Sequence, residues 1–234
     1  MTTLPSIRFT ILVGALALGS ALAMSAQETV FNVPSADILD SGKIYGELDF
    51  TYNPASAVAS YTPRLVVGIG HRIEIGANLN GIATPADVRT TVTPALKWKI
   101  FDTPAHGFAV LVGDNVFMPV QNTRYKAGNY FYAELAKTWR AKTRLSAGLY
   151  HFTADVVAPS QRVGGQFGIE QPVGSRITLA ADWYTGYQVL GYVTPGIIVK
   201  ATSRLTLYGS WQIGNYGLSE GNHQLLVELG WNFN

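Results

Sequence analysis

The chain has 234 residues, of which 14% are charged, and it contains 24 glycines, 12 tyrosines, five tryptophans and no cysteine. The formal net charge of +2 provides no basic surface for nucleic acid, and the lack of cysteine excludes a disulfide framework and a lipid anchor attached through cysteine. No run after Ala26 approaches the ~18 consecutive apolar residues that a transmembrane helix needs.

The first 26 residues have the layout of a secretory signal peptide. The stretch "MTTLPSIRF" carries Arg8 and no acid, the short apolar run "TILVGALALGSALA" follows it, and small residues then suit cleavage. We therefore expect residues 1–26 to be a signal peptide that is removed on export. Residues 27–41 are expected to form a periplasmic lead-in or a plug segment, and residues 42–234 the folded domain.

Apolar and polar residues alternate along the rest of the chain, which predicts twelve β-strands. Turns of about two to five residues alternate with longer loops, as in a membrane barrel with short periplasmic turns and long outer loops. An even number of strands places both termini on the side of the short turns. The predicted strands cover residues 43–52, 64–70, 73–80, 91–101, 107–117, 129–139, 144–152, 162–170, 176–184, 192–200, 205–213 and 223–233.

All five tryptophans fall on the more apolar side of their strands, close to strand ends. Indole rings favour the headgroup layer of a bilayer, because one edge of the ring is apolar and the other can donate a hydrogen bond. Two rims of tryptophan around an apolar band therefore predict an all-β fold, a transmembrane up-and-down antiparallel β-barrel of about 12 strands. The predicted aromatic belt consists of Trp98, Trp139, Trp183, Trp211 and Trp231.

The opposite side of the same strands carries many charged residues. Burial of this face in an apolar core is unfavourable unless every charge is paired, whereas a wet lumen accepts such residues readily. We therefore expect these side chains to line the lumen and to set its selectivity. The predicted lumen residues are the bases Arg64, Lys97, Lys99, Arg144, Arg162 and Arg176 and the acids Glu47, Asp49, Glu74 and Glu134.

Two prolines, Pro94 and Pro195, lie inside predicted strands and suggest bulges or shifted strand boundaries there. The last predicted strand, "QLLVELGWNFN", resembles the C-terminal signal by which bacterial outer-membrane barrels are recognised for assembly, although Phe233 is penultimate here. The barrel assembly machinery is therefore an expected partner through the C-terminal strand.

The first part of the chain is similar to a group of outer-membrane barrels of the transporter type. The stretches "VFNVPSADILDSGKIYGELDF", "TPRLVVGIGHRIEIGANL" and "TPALKWKIFD" resemble the opening hairpins of these barrels. The group includes barrels assigned to the meta-pathway of phenol degradation, and the likeness covers about residues 30 to 117. The resemblance implies a barrel of this type, without implying phenol as a ligand, and places Pro34 to Asp37 in the lead-in or plug.

Signals for catalysis are weak. His71 and His106 fall in short turns, His151 near a strand end, and His223 at the start of the last strand. A barrel phospholipase is expected to show His-x-Ser on one strand face, but residues 151–153 read "HFT". No histidine pair has metal-ligand spacing. We therefore expect no enzymatic activity, no cofactor and no metal.

The predicted function is passive passage of small solutes through a narrow, porin-like channel. A barrel of about twelve strands lies between those filled by side chains and those with a wide aqueous channel. The alternatives are a non-conducting structural or adhesion barrel and, with less support, an outer-membrane lipid hydrolase. The expected location is the outer membrane of a Gram-negative-type bacterium, with lipid and a small solute as partners and no nucleic acid.

Overall fold

The wall of the molecule consists of antiparallel strands. The computed structural model describes residues 29–84, 90–120, 126–154, 156, 161–217 and 219–233, so the predicted signal peptide at 1–26 lies outside the described residues. In this part of the chain no helix is long and apolar enough to cross a membrane. The strands are β1 (Ile44–Asn53), β2 (Val58–Gly70), β3 (Ile73–Asn80), β4 (Ile82–Thr84), β5 (Thr91–Thr103), β6 (Phe108–Pro119), β7 (Gly128–Thr138), β8 (Arg144–Phe152), β9 (Val163–Pro172), β10 (Ile177–Tyr184), β11 (Tyr192–Lys200), β12 (Leu205–Gly214) and β13 (Gln224–Asn232).

These strands form one closed ring. Apart from the short strand β4, each strand pairs with the strand before it and the strand after it in the chain, and β1 closes the ring by pairing with β13. The short strand β4 continues β3 along β2 after Gly81, whose φ of 76° interrupts the strand, so the wall has twelve positions. Closure pairs the first strand of the wall with the last, as a bilayer requires of a spanning sheet. The predicted up-and-down antiparallel barrel of about 12 strands is confirmed.

The two ends of the barrel differ as expected, with one exception in the first hairpin. β1 and β2 remain paired to Asn53 and Val58, so their connection spans only residues 54–57. The sequence predicts strands at 43–52 and 64–70, and so a longer loop that includes 53–60, because "NPASAVAS" does not show the alternation of a strand. Short turns join the strands at the opposite end, where β1 begins and β13 ends.

The prolines inside strands do not shift the register, contrary to the expectation from sequence. Pro94 and Pro195 pair normally on one side, and on the other side the ladder skips them and resumes in the same register. A proline lacks only the N–H that one neighbour would use, so the defect is confined to that ladder. The shifts in register lie instead at residues 68–70 and 99–101, near the turn end.

The outer wall is apolar. The most exposed of its large residues is Leu149 of β8, at 68%, and the five tryptophans are all 41% to 45% exposed on the same side. The one outward carboxylate on β6, Asp114, accepts a hydrogen bond from Asn129 Nδ2 at 3.1 Å. Such a continuous apolar surface needs hydrocarbon to cover it. The wall is therefore that of a membrane-spanning barrel.

The core lies inside the barrel and is organised by residues 29–41, which we call the luminal segment. This segment lies within the ring of strands, and it supplies side chains to three buried apolar clusters. Val33 and Ala36 join the first cluster, Val30 and Phe31 the second, and Leu39 the third. The interior is therefore packed around the segment as well as lined by charged residues.

Candidate functional site

The first half of the luminal segment is bound by one carboxylate of the wall. A backbone hydrogen bond from Val30 N to Val33 O, 2.8 Å long, forms a tight turn that directs successive N–H groups to one side. Asp182 Oδ2, on β10, accepts three of these groups, because a carboxylate suits a cluster of converging N–H dipoles. The donors are Phe31 at 3.0 Å, Asn32 at 2.5 Å and Val33 at 2.8 Å.

The side chain of Asn32 fixes the same turn to the next two strands. Its Nδ2 donates to Thr194 Oγ1 on β11 at 2.8 Å, and its Oδ1 accepts from Gln212 Nε2 on β12 at 2.7 Å. The backbone carbonyl of Asn32 accepts from the Tyr184 hydroxyl at 3.1 Å. The beginning of the segment is therefore docked on β10, β11 and β12.

The second half of the segment is held by Arg144 of β8. The guanidinium group binds Asp37 through Nη1 and Nη2 at 2.7 and 2.8 Å, and binds Glu170 through Nε and Nη2 at 2.7 Å each. Two bidentate contacts of this kind use the planar fork that only arginine offers. Burial alone would raise the pKa of the Asp37 carboxyl, but the charge and hydrogen bonds of Arg144, together with the charges of Lys99 and Lys97, lower that pKa below its ordinary value.

The end of the segment is docked on β3 and β5. Lys97 Nζ lies 2.7 Å from Glu74 Oε1 and donates to the carbonyl of Ser35 at 3.3 Å. The other oxygen of Glu74 accepts from Leu39 N at 3.0 Å. In the ring of twelve positions β11 and β5 are opposite each other, so the segment crosses the lumen from wall to wall.

Two recesses lie on either side of this crossing. The loop-side recess has a volume of about 520 Å³ and borders Phe31 and Asn32, while the turn-side recess has a volume of about 950 Å³ and borders Ala36 and Asp37. Threonine, asparagine, glutamine and aromatic side chains dominate the loop-side lining. The luminal segment therefore separates the two recesses.

Eight of the ten residues that the sequence placed in the lumen lie there. Lys97 and Arg144 contact the luminal segment directly, and Glu134 accepts from Gln166 Nε2 at 2.7 Å. Lys99 lies at the turn end, 4.0 Å from Asp102. The others are Arg64, Glu47, Asp49 and Glu74.

Arg162 and Arg176 are placed differently from the expectation. Both are exposed and stand one residue before β9 and β10 begin, at the loop end and the turn end respectively. The alternation assigned them to the inner face, but that face ends where the strand ends. They therefore belong to the rims and not to the lumen wall.

Sequence reasoning missed the role of Asp182. Its inward parity on β10 could be predicted, but its partners lie about 150 residues earlier in the chain. Sequence reasoning also did not single out Tyr130, whose hydroxyl donates to Gln166 Oε1 at 2.6 Å and accepts from Tyr184 at 2.7 Å.

The histidines are not brought together. His71 and His106 lie in short turns, His151 is exposed on the outer face of β8, and His223 precedes β13. Thr153, at the end of the "HFT" stretch, accepts a hydrogen bond from Asn129 N at 2.9 Å. Within the described ranges, no group of three or more His, Cys, Asp or Glu residues could hold a metal ion.

Ring closure, an apolar outer wall and a charged interior define the class of protein, a membrane-spanning β-barrel with an occupied lumen. No family model matches the sequence, and no curated protein matches it. Three solved structures are similar in fold. Outer membrane phospholipase A from Escherichia coli is 16% identical with a TM-score of 0.47, over 89% of this chain and 94% of that one. An active-site mutant of that phospholipase at pH 6.1 is 15% identical with a TM-score of 0.48, over the same shares.

The third structure is the N-terminal β-barrel domain of Pseudomonas aeruginosa OprF. It is 14% identical with a TM-score of 0.27, over 83% of this chain and 100% of that one. Likenesses this distant say nothing about activity. The barrel assignment for this chain therefore rests on its own strand pairing and surface.

Proposed function

We propose that the protein is a channel for passive passage of small solutes across the outer membrane of a Gram-negative-type bacterium. In the described state the luminal segment closes the channel. The observation that carries this proposal is the crossing of the lumen by residues 29–41 between two recesses. Besides the apolar contacts of the segment, polar contacts to Asp182, Arg144 and Glu74 hold it in place, and water can replace these polar contacts when the segment moves.

The lining of the loop-side recess favours a small polar compound as the solute. Its lining includes Asn78, Asn80, Thr93 and Gln212, whose side chains both donate and accept hydrogen bonds. The gradient of the solute would supply the driving force, and the charged wall would set the selectivity. Enzymatic activity is not part of the proposal.

Two partners follow from the outer surface. The apolar wall would be covered by outer-membrane lipid, with the five tryptophans at its rims. The end of β13 presents Trp231 and Phe233 outward, which suits recognition by the barrel assembly machinery during insertion.

The second candidate function is a non-conducting structural or adhesion barrel. The double bidentate contact of Arg144 favours it, because a guanidinium group held by Asp37 and Glu170 makes a strong permanent closure. In that case the luminal segment would act as part of the core throughout the life of the protein.

Conductance in planar bilayers separates the two candidates. The wild-type protein is compared with Asp182→Asn, which weakens docking of the segment, and with Asp114→Asn, the same substitution on the outer face. A channel closed by the segment gives rare single-channel steps in the wild type, more frequent steps in Asp182→Asn, and wild-type behaviour in Asp114→Asn. Absence of steps from all three at high protein load would support the structural barrel.

A further inference from the structure

Three carboxylates and one guanidinium group, those of Glu47, Asp49, Glu228 and Arg64, lie on the inner wall near the first and last strands. Arg64 Nη2 lies 2.7 Å from Asp49 Oδ2, and Nη1 lies 3.5 Å from Glu47 Oε1. Glu47 also accepts from the Tyr45 hydroxyl at 2.5 Å. Glu228 on β13 lies directly opposite Asp49 on β1, so both side chains point to the same inner face.

Glu228 is the group that this arrangement leaves unexplained. It is 1% exposed, and among the described residues neither of its carboxylate oxygens has a hydrogen-bond partner. A buried carboxylate directly across from another one is unfavourable without a positive charge nearby. Arg64 is engaged with the two acids of β1, so three carboxylates face one guanidinium group in this cluster.

The cluster borders the loop-side recess. Asp49, Arg64 and Glu228 contribute to its floor, and aromatic side chains including Phe152, Tyr184 and Tyr192 line its sides. Aromatic faces attract cations, and they also pack against the apolar part of an organic ligand. The recess therefore combines unbalanced negative charge with a partly apolar wall.

We propose that the loop-side recess binds a small organic cation, whose ammonium group is held by Glu228 and Asp49. An ammonium group supplies up to three N–H donors, which matches the surplus of carboxylate oxygens. The volume of about 520 Å³ admits an amine with a short carbon chain beside the aromatic rings. As an assignment of the transported solute this inference rests on the proposed channel function, whereas binding at the recess does not require conduction.

Isothermal titration calorimetry of the full-length protein in a zwitterionic detergent tests the inference. The probes are n-butylammonium chloride, its neutral counterpart 1-butanol, and potassium chloride alone. The test variant is Glu228→Gln, which keeps the shape of the side chain and removes its charge. The matched control is Glu220→Gln, the same substitution at an exposed glutamate of the loop end. Heat modifiability on gels verifies that each variant is a folded barrel, and Asp49→Asn serves as a second test variant.

The expected result is one site for butylammonium in the wild type and in Glu220→Gln, with affinity about tenfold or more weaker in Glu228→Gln, as for loss of one charge-assisted hydrogen bond. Neither 1-butanol nor potassium should compete. Unchanged affinity in Glu228→Gln, equal binding of 1-butanol, or no binding in the wild type would overturn the inference. Binding of butylammonium by the wild type, together with absence of conductance steps from the wild type, Asp182→Asn and Asp114→Asn, would refute the channel and leave the site intact.

Discussion

The docking of the luminal segment by Asp182 gives the most specific prediction. Replacing Asp182 with Asn keeps the size of the side chain but removes the charge from an acceptor that three consecutive backbone N–H groups share. Hydrogen bonds to charged groups contribute about 1.5–3 kcal/mol each and neutral ones about 0.5–1.5 kcal/mol. The substitution therefore weakens each of the three bonds by about 1 kcal/mol.

Part of that loss is offset. Asp182 is almost completely buried, so removing its charge also removes a desolvation penalty. A net weakening of docking by about 2 kcal/mol remains, which corresponds to about a 30-fold larger population of undocked segment. The barrel wall itself should be unaffected, since β10 keeps its pairing with β9 and β11 through the backbone.

Thiol labelling measures this population directly. The natural chain has no cysteine, so Ser35→Cys places a single reporter thiol in the buried part of the segment. When docking and undocking are fast, the rate of maleimide labelling is proportional to the undocked fraction. The rate should rise about 30-fold on adding Asp182→Asn, and it should not change on adding Asp114→Asn.

Equal labelling rates with and without Asp182→Asn would refute the argument that this carboxylate holds the segment. Fast labelling in the Ser35→Cys protein alone, close to the rate of a free thiol, would show that the segment is not docked in the lumen at all.

Three further predictions concern Arg144 in the lumen, Leu149 on the outer wall and His151. Arg144→Lys cannot hold Asp37 and Glu170 bidentately, so labelling of Ser35→Cys should accelerate about tenfold, whereas Arg140→Lys on the exposed turn should leave the rate unchanged. Leu149→Arg should lower the free energy of unfolding in lipid, measured by urea titration, by about 2–4 kcal/mol. The control Val173→Arg, in a turn, should lower it by about 1 kcal/mol or less. Equal effects of the two substitutions would contradict a lipid-facing Leu149. His151→Ala should show the same background esterase activity as the wild type, because His151 faces outward; a loss of activity would support a hydrolase.

Much of the barrel could be predicted from the sequence because strands impose a period of two. The tryptophans lie on the outer face of the wall and most charged residues of the strands on the inner face, and this separation can be recognised without knowledge of pairing. The residues at which a strand begins and ends are harder to predict from the sequence. The alternation places Arg162 and Arg176 on the lumen wall because the alternating pattern begins one residue before β9 and β10 begin.

The candidate site depended on contacts that no local pattern encodes. Asp37 meets Arg144, 107 residues later, and the turn at Asn32 meets Asp182, 150 residues later. Residues 27–41 have no periodicity that distinguishes a lead-in from a plug. The position of Asp49 directly across from Glu228 is also known only once the register of the closing strand pair, β1 with β13, is known.

The membrane-spanning barrel requires that hydrocarbon cover the wall that carries the five tryptophans. The decisive measurement is tryptophan fluorescence of the protein reconstituted into vesicles whose lipid chains carry bromine atoms at different depths. We expect strong quenching by bromines close to the headgroups, weaker quenching by bromines at the bilayer centre, and little quenching by aqueous acrylamide. Efficient quenching by acrylamide together with no quenching by brominated lipid would contradict it.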